Sequence, residues 1–200
     1  METETRAVLA KNLELRAGTN GPVLVGYAAV YESRSLLINN KFVEIIKRNA
    51  FEESLRSHLH DVRALVEHDP IKILGRRSAG TLKVEDDVNG VRVEISMPDT
   101  TYSKDLMESV KRGDIRGMSF GFKCEDDSWE MDNDTPVRSV KKASLVEVSP
   151  TGFPMYTDTE VAVRSCAKFV QQLVAHEEAI RARRLRLLEA SLFDVQQRMG

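Results

Sequence analysis

Over much of the first 165 positions apolar and polar residues alternate with a period of two, the pattern of strands with one face in a core. In "VRALVEH" (62–68), Val62, Ala64, Val66 and His68 fall on one side, and Arg63, Leu65 and Glu67 on the other. "VLVGYAAVY" (23–31) is short, apolar and rich in strand formers, and "KFVEII" (41–46) alternates at its start. "GTLKVEDDVNGVRVEISM" (80–97) predicts two strands around Asn89-Gly90, a dipeptide suited to hairpin turns that need positive φ. "DIRGMSFGFKCE" (114–125) and "VRSVKKASLVEVS" (137–149) predict two more strands, with the acidic loop "DDSWEMDNDTP" between them. "EVAVR" (160–164) reads as a last strand.

Two short helices interrupt this series. "NAFEESLRSHL" opens on Asn49 with Glu52 three residues later, a capping-box arrangement. "SKDLMESVKRG" runs from Ser103 to Gly113, with Lys111 and Arg112 in the last turn, where cations suit the helix dipole. Helices do not alternate regularly with strands, which argues against a doubly wound fold. The expected class is mainly β with peripheral helices: an antiparallel β-barrel of about seven strands plus a long C-terminal helix. The texture changes near residue 166, where a run without Pro or Gly until Gly200 predicts the helix. Residues 1–165 are therefore expected to form the barrel domain and 166–200 a helical appendage. The apolar stripe of that helix changes phase, from Phe169, Leu173 and Ile180 to Leu185, Leu188, Leu192 and Val195. The first set is expected to pack on the barrel or on a second copy, and the Arg-rich second half to be a mobile arm.

Composition narrows the function classes. The chain has 200 residues and a formal net charge of −2, so overall charge gives no reason to expect nucleic-acid binding. Two cysteines, Cys124 and Cys166, make neither a disulfide framework nor a zinc cluster, so a reducing compartment, no metal and no cofactor are expected. The segment "METETRAVLAKNLELRAG" lacks the basic-then-apolar pattern of a signal peptide, and no apolar run approaches the roughly 18 residues of a membrane span.

Candidate chemistry gathers at "RGDIRGMSFGFKCED" (112–126). On a strand, Met118, Phe120, Phe122 and Cys124 share one face, and Gly117, Ser119, Gly121 and Lys123 the other. Glycine in a strand marks close approach of a ligand or another backbone. Ser119 is thus either a nucleophile on a patch cleared for substrate or a half-buried serine beside a glycine bulge. A serine nucleophile needs a base. His58, His60 and His176 read as solvated, whereas His68 ends an apolar alternating strand before Asp69-Pro70. It is either a satisfied structural histidine or a site residue, and Asp69 points to the wrong face to orient it. Glu147 lies between Val146 and Val148, where a carboxylate is costly to bury unpaired. It faces solvent or has a partner inside. Cys124 falls on the core face with Phe120 and Phe122 and reads as an inert thiol.

At these residues the chain resembles the phage prohead proteases, the capsid-maturation serine proteases of tailed phages, which are in turn similar to herpesvirus assemblins. The matching pieces are "GYAAVYES", "NAFEESL", "VRALVEHDPIKILGR", "GTLKVEDDVNGVRVEISMPDT", "DIRGMSFGF" and "SLVEVSPTGFPMY", in order over about residues 14 to 165. The resemblance implies that His68 is the base and Ser119 the nucleophile. Assemblins use a second histidine as third member; this chain has none between Ser119 and His176, and Glu147 stands in a comparable place. "EIIKRNAF" departs from the more usual Pro-Gly-Ala-Phe ending. The resemblance further implies an endopeptidase acting in the host cytoplasm, inside the assembling procapsid, on scaffold and capsid-protein termini. Gly117 and Gly121 would then clear a groove for a substrate strand, and Thr151 and Gly152 would border the oxyanion hole. Self-association is a further expectation. The competing reading is a non-catalytic capsid-assembly or scaffold protein that binds partner helices.

Overall fold

The computed structural model describes residues 3–9, 13–57, 61–152 and 160–199, with the side chains of 8, 9, 160, 161, 185 and 187–199 left aside. His58 and His60, and the side chains of Leu185, Leu188, Leu192 and Val195, lie outside the described residues. Ten strands and three helices occur among those described: β1 (Glu4–Leu9), β2 (Glu14–Gly18), β3 (Gly21–Val30), β4 (Val43–Ile46), α1 (Glu52–Arg56), β5 (Arg63–Val66), β6 (Asp69–Arg76), β7 (Leu82–Asp86), β8 (Gly90–Ser96), α2 (Thr101–Arg112), β9 (Gly117–Asp132), β10 (Thr135–Thr151) and α3 (Glu160–Met199). They make two sheets. One has the order β1-β9-β10-β5-β6, with β4 also paired to β10, and the other the order β2-β3-β8-β7. The mainly β class with a C-terminal helix holds; a closed barrel is not found.

Residues from both sheets and from α1 and α2 enclose one core, with Phe51, Phe120, Phe122, Leu82, Val91 and Ile95 fully buried within it. The β7–β8 hairpin turns at Asn89-Gly90 as expected. Asp87 accepts hydrogen bonds from the backbone N–H groups of Asn89 and Gly90, and Gly90 has φ 155°. α2 ends as expected at Gly113, which takes the left-handed conformation, but begins at Thr101 because Thr100 caps Ser103 N–H.

Three expectations are corrected. The segment 126–136 is no loop: β9 and β10 run on as one long hairpin that turns at Asn133-Asp134. Most of its acidic residues lie on strand and Asp134 in the turn, with Asp127 paired to the buried Arg138, and composition there outweighed pairing. α1 is one short turn without a side-chain cap; Asn49 sits before it at φ 64° instead of capping it. "EVAVR" begins α3 instead of forming a strand. Its first turns dock: Ala162 and Cys166 join Ile38 and Phe42 in a second small core, and Phe169 stacks on Trp129 at 5.9 Å. Ile180, expected to pack, is exposed.

Phe51 meets the rings of Phe120 and Phe122 edge-on, at 5.8 and 6.2 Å. Truncating it leaves a cavity where both sheets close. Phe51→Ala is expected to cost about 3–5 kcal/mol of stability in denaturant unfolding, with the midpoint lowered and the cooperativity kept.

Candidate active site

The site begins with an irregularity in β10. Leu145 pairs with Phe122, and Glu147 pairs with Gly121, so Val146 is an extra residue in a bulge. Strict alternation would put Leu145 and Glu147 on one face. The bulge breaks it. Leu145 and Val148 both stay in the core, while Glu147 and Ser149 turn to the opposite face, beside Gly121 and Ser119 of β9.

Glu147 is accommodated there by what Gly121 lacks. A Cβ on Gly121 would fall 2.8 Å from Glu147 Oε1. The bare strand position is therefore a seat for a carboxylate. Glu147 Oε1 lies 2.8 Å from His68 Nδ1, and Oε2 accepts a 2.6 Å hydrogen bond from the Ser149 hydroxyl. Both oxygens of a carboxylate only 13% exposed are thus occupied.

His68 is not at a strand end. β5 stops at Val66, and Glu67 and His68 form the turn to β6 with φ of 48° and 62°. Left-handed backbone at non-glycine residues costs on the order of 1–3 kcal/mol each and persists only where surroundings enforce it. Here the end of β10 does so. Glu67 N–H donates to the Pro150 carbonyl and His68 N–H to the Ser149 hydroxyl, at 3.3 and 3.2 Å. The Glu67 carboxylate accepts from the Thr151 hydroxyl at 2.7 Å and from Gly152 N–H at 2.6 Å. With Nδ1–H directed at Glu147, the Nε2 lone pair of a neutral ring remains to accept a proton. The hydrogen bond to Glu147 raises the His68 pKa above its ordinary 6.5; desolvation opposes this, and the charges of Glu147 and Glu67 add to the rise.

Ser119 faces the same side. It stands opposite Ser149 on β10 and Ala7 on β1, is 1% exposed, and donates its hydroxyl hydrogen bond to the Arg6 carbonyl at 2.8 Å. Among the described residues no hydrogen bond joins it to His68. Directly opposed strand residues have Cβ atoms about 4.5–5.5 Å apart, and Ser149, opposite Ser119, holds the His68 backbone. Ser149 thus stands between Ser119 and the turn that carries His68. A carboxylate-oriented imidazole is one part of what acyl transfer by a serine requires.

The other expected site residues lie as follows. Gly117 is buried and pairs with Leu9 and Thr151. Thr151 and Gly152 are engaged by Glu67, so in this conformation the Gly152 amide is already bonded to a carboxylate. Cys124 is half-buried, and burial pushes its thiol up to about 12, which suits an unreactive residue. Asp69 accepts from Ile71 N–H and pairs with Lys72, away from His68. A cavity lined by Arg48, Glu52, Leu55, Asp86 and Val88 includes none of the site residues. Among the described residues there is no group of three or more His, Cys, Asp and Glu able to hold a metal, and no helix long and apolar enough to cross a membrane. Two members of the site escaped the sequence reading, Ser149 and Glu67. The first was accessible, because it lies two positions after Glu147 and so shares its face.

The family model described as caudovirus prohead serine protease matches residues 10–172, and the chain belongs to that family. The non-catalytic assembly reading is thereby set aside. Among solved structures, the capsid assembly protease gp21 of bacteriophage T4 is similar at 15% identity and a TM-score of 0.44, over 76% of this chain and 99% of that one. No curated protein matches.

Gly121→Ala places a methyl group against Glu147 and forces the carboxylate off His68. The backbone angle at this position is not restricted to glycine, so the fold is expected to survive while kcat/KM falls by about 10²-fold, the scale for a displacement of roughly 1 Å in a catalytic array. Peptide turnover beside circular dichroism checks this. The pH dependence follows from the raised His68 pKa. The ion pair of protonated His68 with Glu147 is fully present below pH 6.5, and its stability is lost as pH rises through the folded pKa. Since a base must be neutral, the acid limb of kcat/KM is expected above pH 6.5. Glu147→Gln is expected to move that limb to lower pH.

Proposed function

We propose that this member of the caudovirus prohead serine protease family is an endopeptidase with Ser119 as nucleophile, His68 as general base and Glu147 as the residue that orients the base. The observation that carries the reading is the 2.8 Å contact of Glu147 with His68 Nδ1, on the face that Ser119 shares. Ser119 Oγ attacks the scissile carbonyl carbon as His68 Nε2 takes its proton. His68 then returns the proton to the leaving amine, and water repeats the cycle on the acyl-enzyme. Glu147 fixes the tautomer and stabilises the imidazolium. Backbone N–H groups receive the oxyanion. The Gly152 amide is a candidate once Glu67 releases it, with Thr151 beside it. Gly117 keeps the face of β9 low on one side of the serine, and Gly121 on the other leaves the room that Glu147 fills.

The substrates proposed are scaffold segments and termini of the major capsid protein, cut inside the procapsid in the host cytoplasm. Neither nucleic acid, nor a membrane, nor a cofactor enters the reaction. Copies of the chain are proposed to associate there, and the Arg-rich part of α3 to contact scaffold.

Covalent labelling by a fluorophosphonate tests the nucleophile. Labelling is expected on Ser119 and is expected to vanish in Ser119→Ala. Proteolysis is expected to fall by roughly 10⁴ to 10⁶ in Ser119→Ala or His68→Ala, since such residues act as a unit, and by about 10² to 10⁴ in Glu147→Gln. Wild-type trimming by Ser119→Ala together with a dead Cys124→Ala enzyme would overturn the assignment.

A further inference from the structure

β1 lies on the outer edge of β9, at the place where a substrate strand would have to lie to meet Ser119. Its six residues pair antiparallel with Gly117–Phe122, with Ala7 opposite Ser119 and Thr5 opposite Gly121. The backbone carbonyl of Arg6 accepts the Ser119 hydroxyl hydrogen bond at 2.8 Å. An extended chain that presents a carbonyl to the nucleophile is arranged as a substrate is. The strand also lies outside the part of the chain matched by the family model, which starts at residue 10.

The two faces of β1 differ. Thr5 and Ala7 lie on the side of Gly121 and Ser119, while Glu4 and Arg6 are buried on the other. Arg6 donates from Nε and Nη2 to Glu44, at 2.7 and 3.0 Å. Glu4 accepts from both Nη1 and Nη2 of Arg138, at 2.6 and 3.0 Å, and from Arg6 Nη2 at 2.8 Å. Arg138 also reaches Glu44 and Asp127. The receiving side therefore holds a carboxylate and a guanidinium of its own, already paired with each other. Arg6 binds the first and Glu4 the second. Buried ion pairs of this kind specify register more than they stabilise, because desolvation offsets most of the attraction. Glu44 and Arg138 keep each other as partners when β1 leaves.

We propose that β1 is an exchangeable, substrate-like occupant of the β9 edge, and that the edge takes in its place an extended segment of another chain with an acidic residue and an arginine two positions later, read by Arg138 and Glu44. A small residue follows the arginine, in the place of Ala7. The proposal rests on the assignment of Ser119 and adds to it both the class of segment recognised and the reason that the serine is covered. Strand addition to an edge supplies the affinity through the backbone, and the alternate side chains supply the choice.

The test uses the full chain carrying Glu4→Gln and Arg6→Gln together, which removes both charges from β1 and keeps a polar side chain at each position. Fluorophosphonate labelling of Ser119 is expected to quicken by about tenfold or more, since the exposed state is then more populated. A fluorescein-labelled peptide of residues 1–12 is expected to bind this variant and not the parent, and to slow its labelling. The same peptide with glutamine at both positions is expected to do neither. A variant that labels at the parental rate with an unchanged melting temperature overturns the proposal, and so does one that fails to fold, because β1 is then a fixed part of the sheet. Absence of labelling in parent and variant alike, with peptide binding intact, leaves the edge and its occupant standing and refutes the Ser119 assignment. Absence of peptide binding refutes the exchange whatever the labelling.

Discussion

One extra residue in β10 decides where the chemistry sits. Without the bulge at Val146, the face that carries Leu145 would carry Glu147 as well, and a carboxylate would enter an apolar core at a cost of several kcal/mol. With it, Glu147 crosses to the far side of the sheet while Leu145 and Val148 both stay inside. Everything else at the site answers to that crossing. Gly121 leaves the volume, Ser149 and His68 satisfy the two oxygens, and the left-handed turn at Glu67 and His68 brings the imidazole back over β10. The bulge and the turn are thus one device: each is costly alone, and each makes the other's geometry useful.

The same sheet carries a second polar cluster of opposite character. His68 and Glu147 are partly exposed, and the hydrogen bond to Glu147 raises the His68 pKa above its ordinary value. Glu4, Arg6, Glu44 and Arg138 are almost fully buried. Burial alone would raise the Glu4 pKa, yet Arg138 and Arg6 hold it below its ordinary value, and the carboxylates hold the Arg138 guanidinium charged. This cluster is closed by its own ion pairs. In the proposed exchange it selects the segment on the edge of β9 and its register. β9 runs between the two. Its core face carries Phe120 and Phe122 under Arg6, and its other face carries Ser119 and Gly121.

How much of this was legible depended on whether a residue's reason was local. The lone carboxylate at Glu147 left two readings, solvent or a partner inside, because an apolar strand tolerates a buried charge only when it is paired, and its contact with His68 is the second. The turn at Asn89-Gly90 and the helix stop at Gly113 were readable for the same kind of reason: their backbone angles are a property of the residues themselves. The glycines of "RGMSFGF" were read as clearing room for substrate. For Gly121 the room is taken by Glu147, a residue 26 positions later in the chain, and no local pattern reveals a neighbour across a bulge. β1 went unseen because "ETRAVL" places Glu and Arg on its buried face, the reverse of an amphipathic strand. Its burial depends on Glu44 and Arg138, from two other strands. The start of α3 was misread because five residues of "EVAVR" alternate as well as a strand does, and the helical period needs more length to show.

The exposures of the two groups proposed to react differ. The imidazole of His68 is 31% exposed, whereas Ser119 is 1% exposed. For a proposed base and nucleophile this is an unequal arrangement, since both must touch the same substrate. On β10, Ser149 lies opposite Ser119 and holds the His68 backbone. On the other flank β1 runs past Ser119, which donates its hydrogen bond to the Arg6 carbonyl. The Gly152 amide is bonded in the same conformation to Glu67. A hydroxyl and an amide that acyl transfer would use are thus each satisfied from within the chain. Buried polar groups demand such partners, and a substrate supplies equivalent ones only by displacing those already present. In the proposed mechanism the resting site is therefore filled, and its reactivity follows how readily the filling is exchanged.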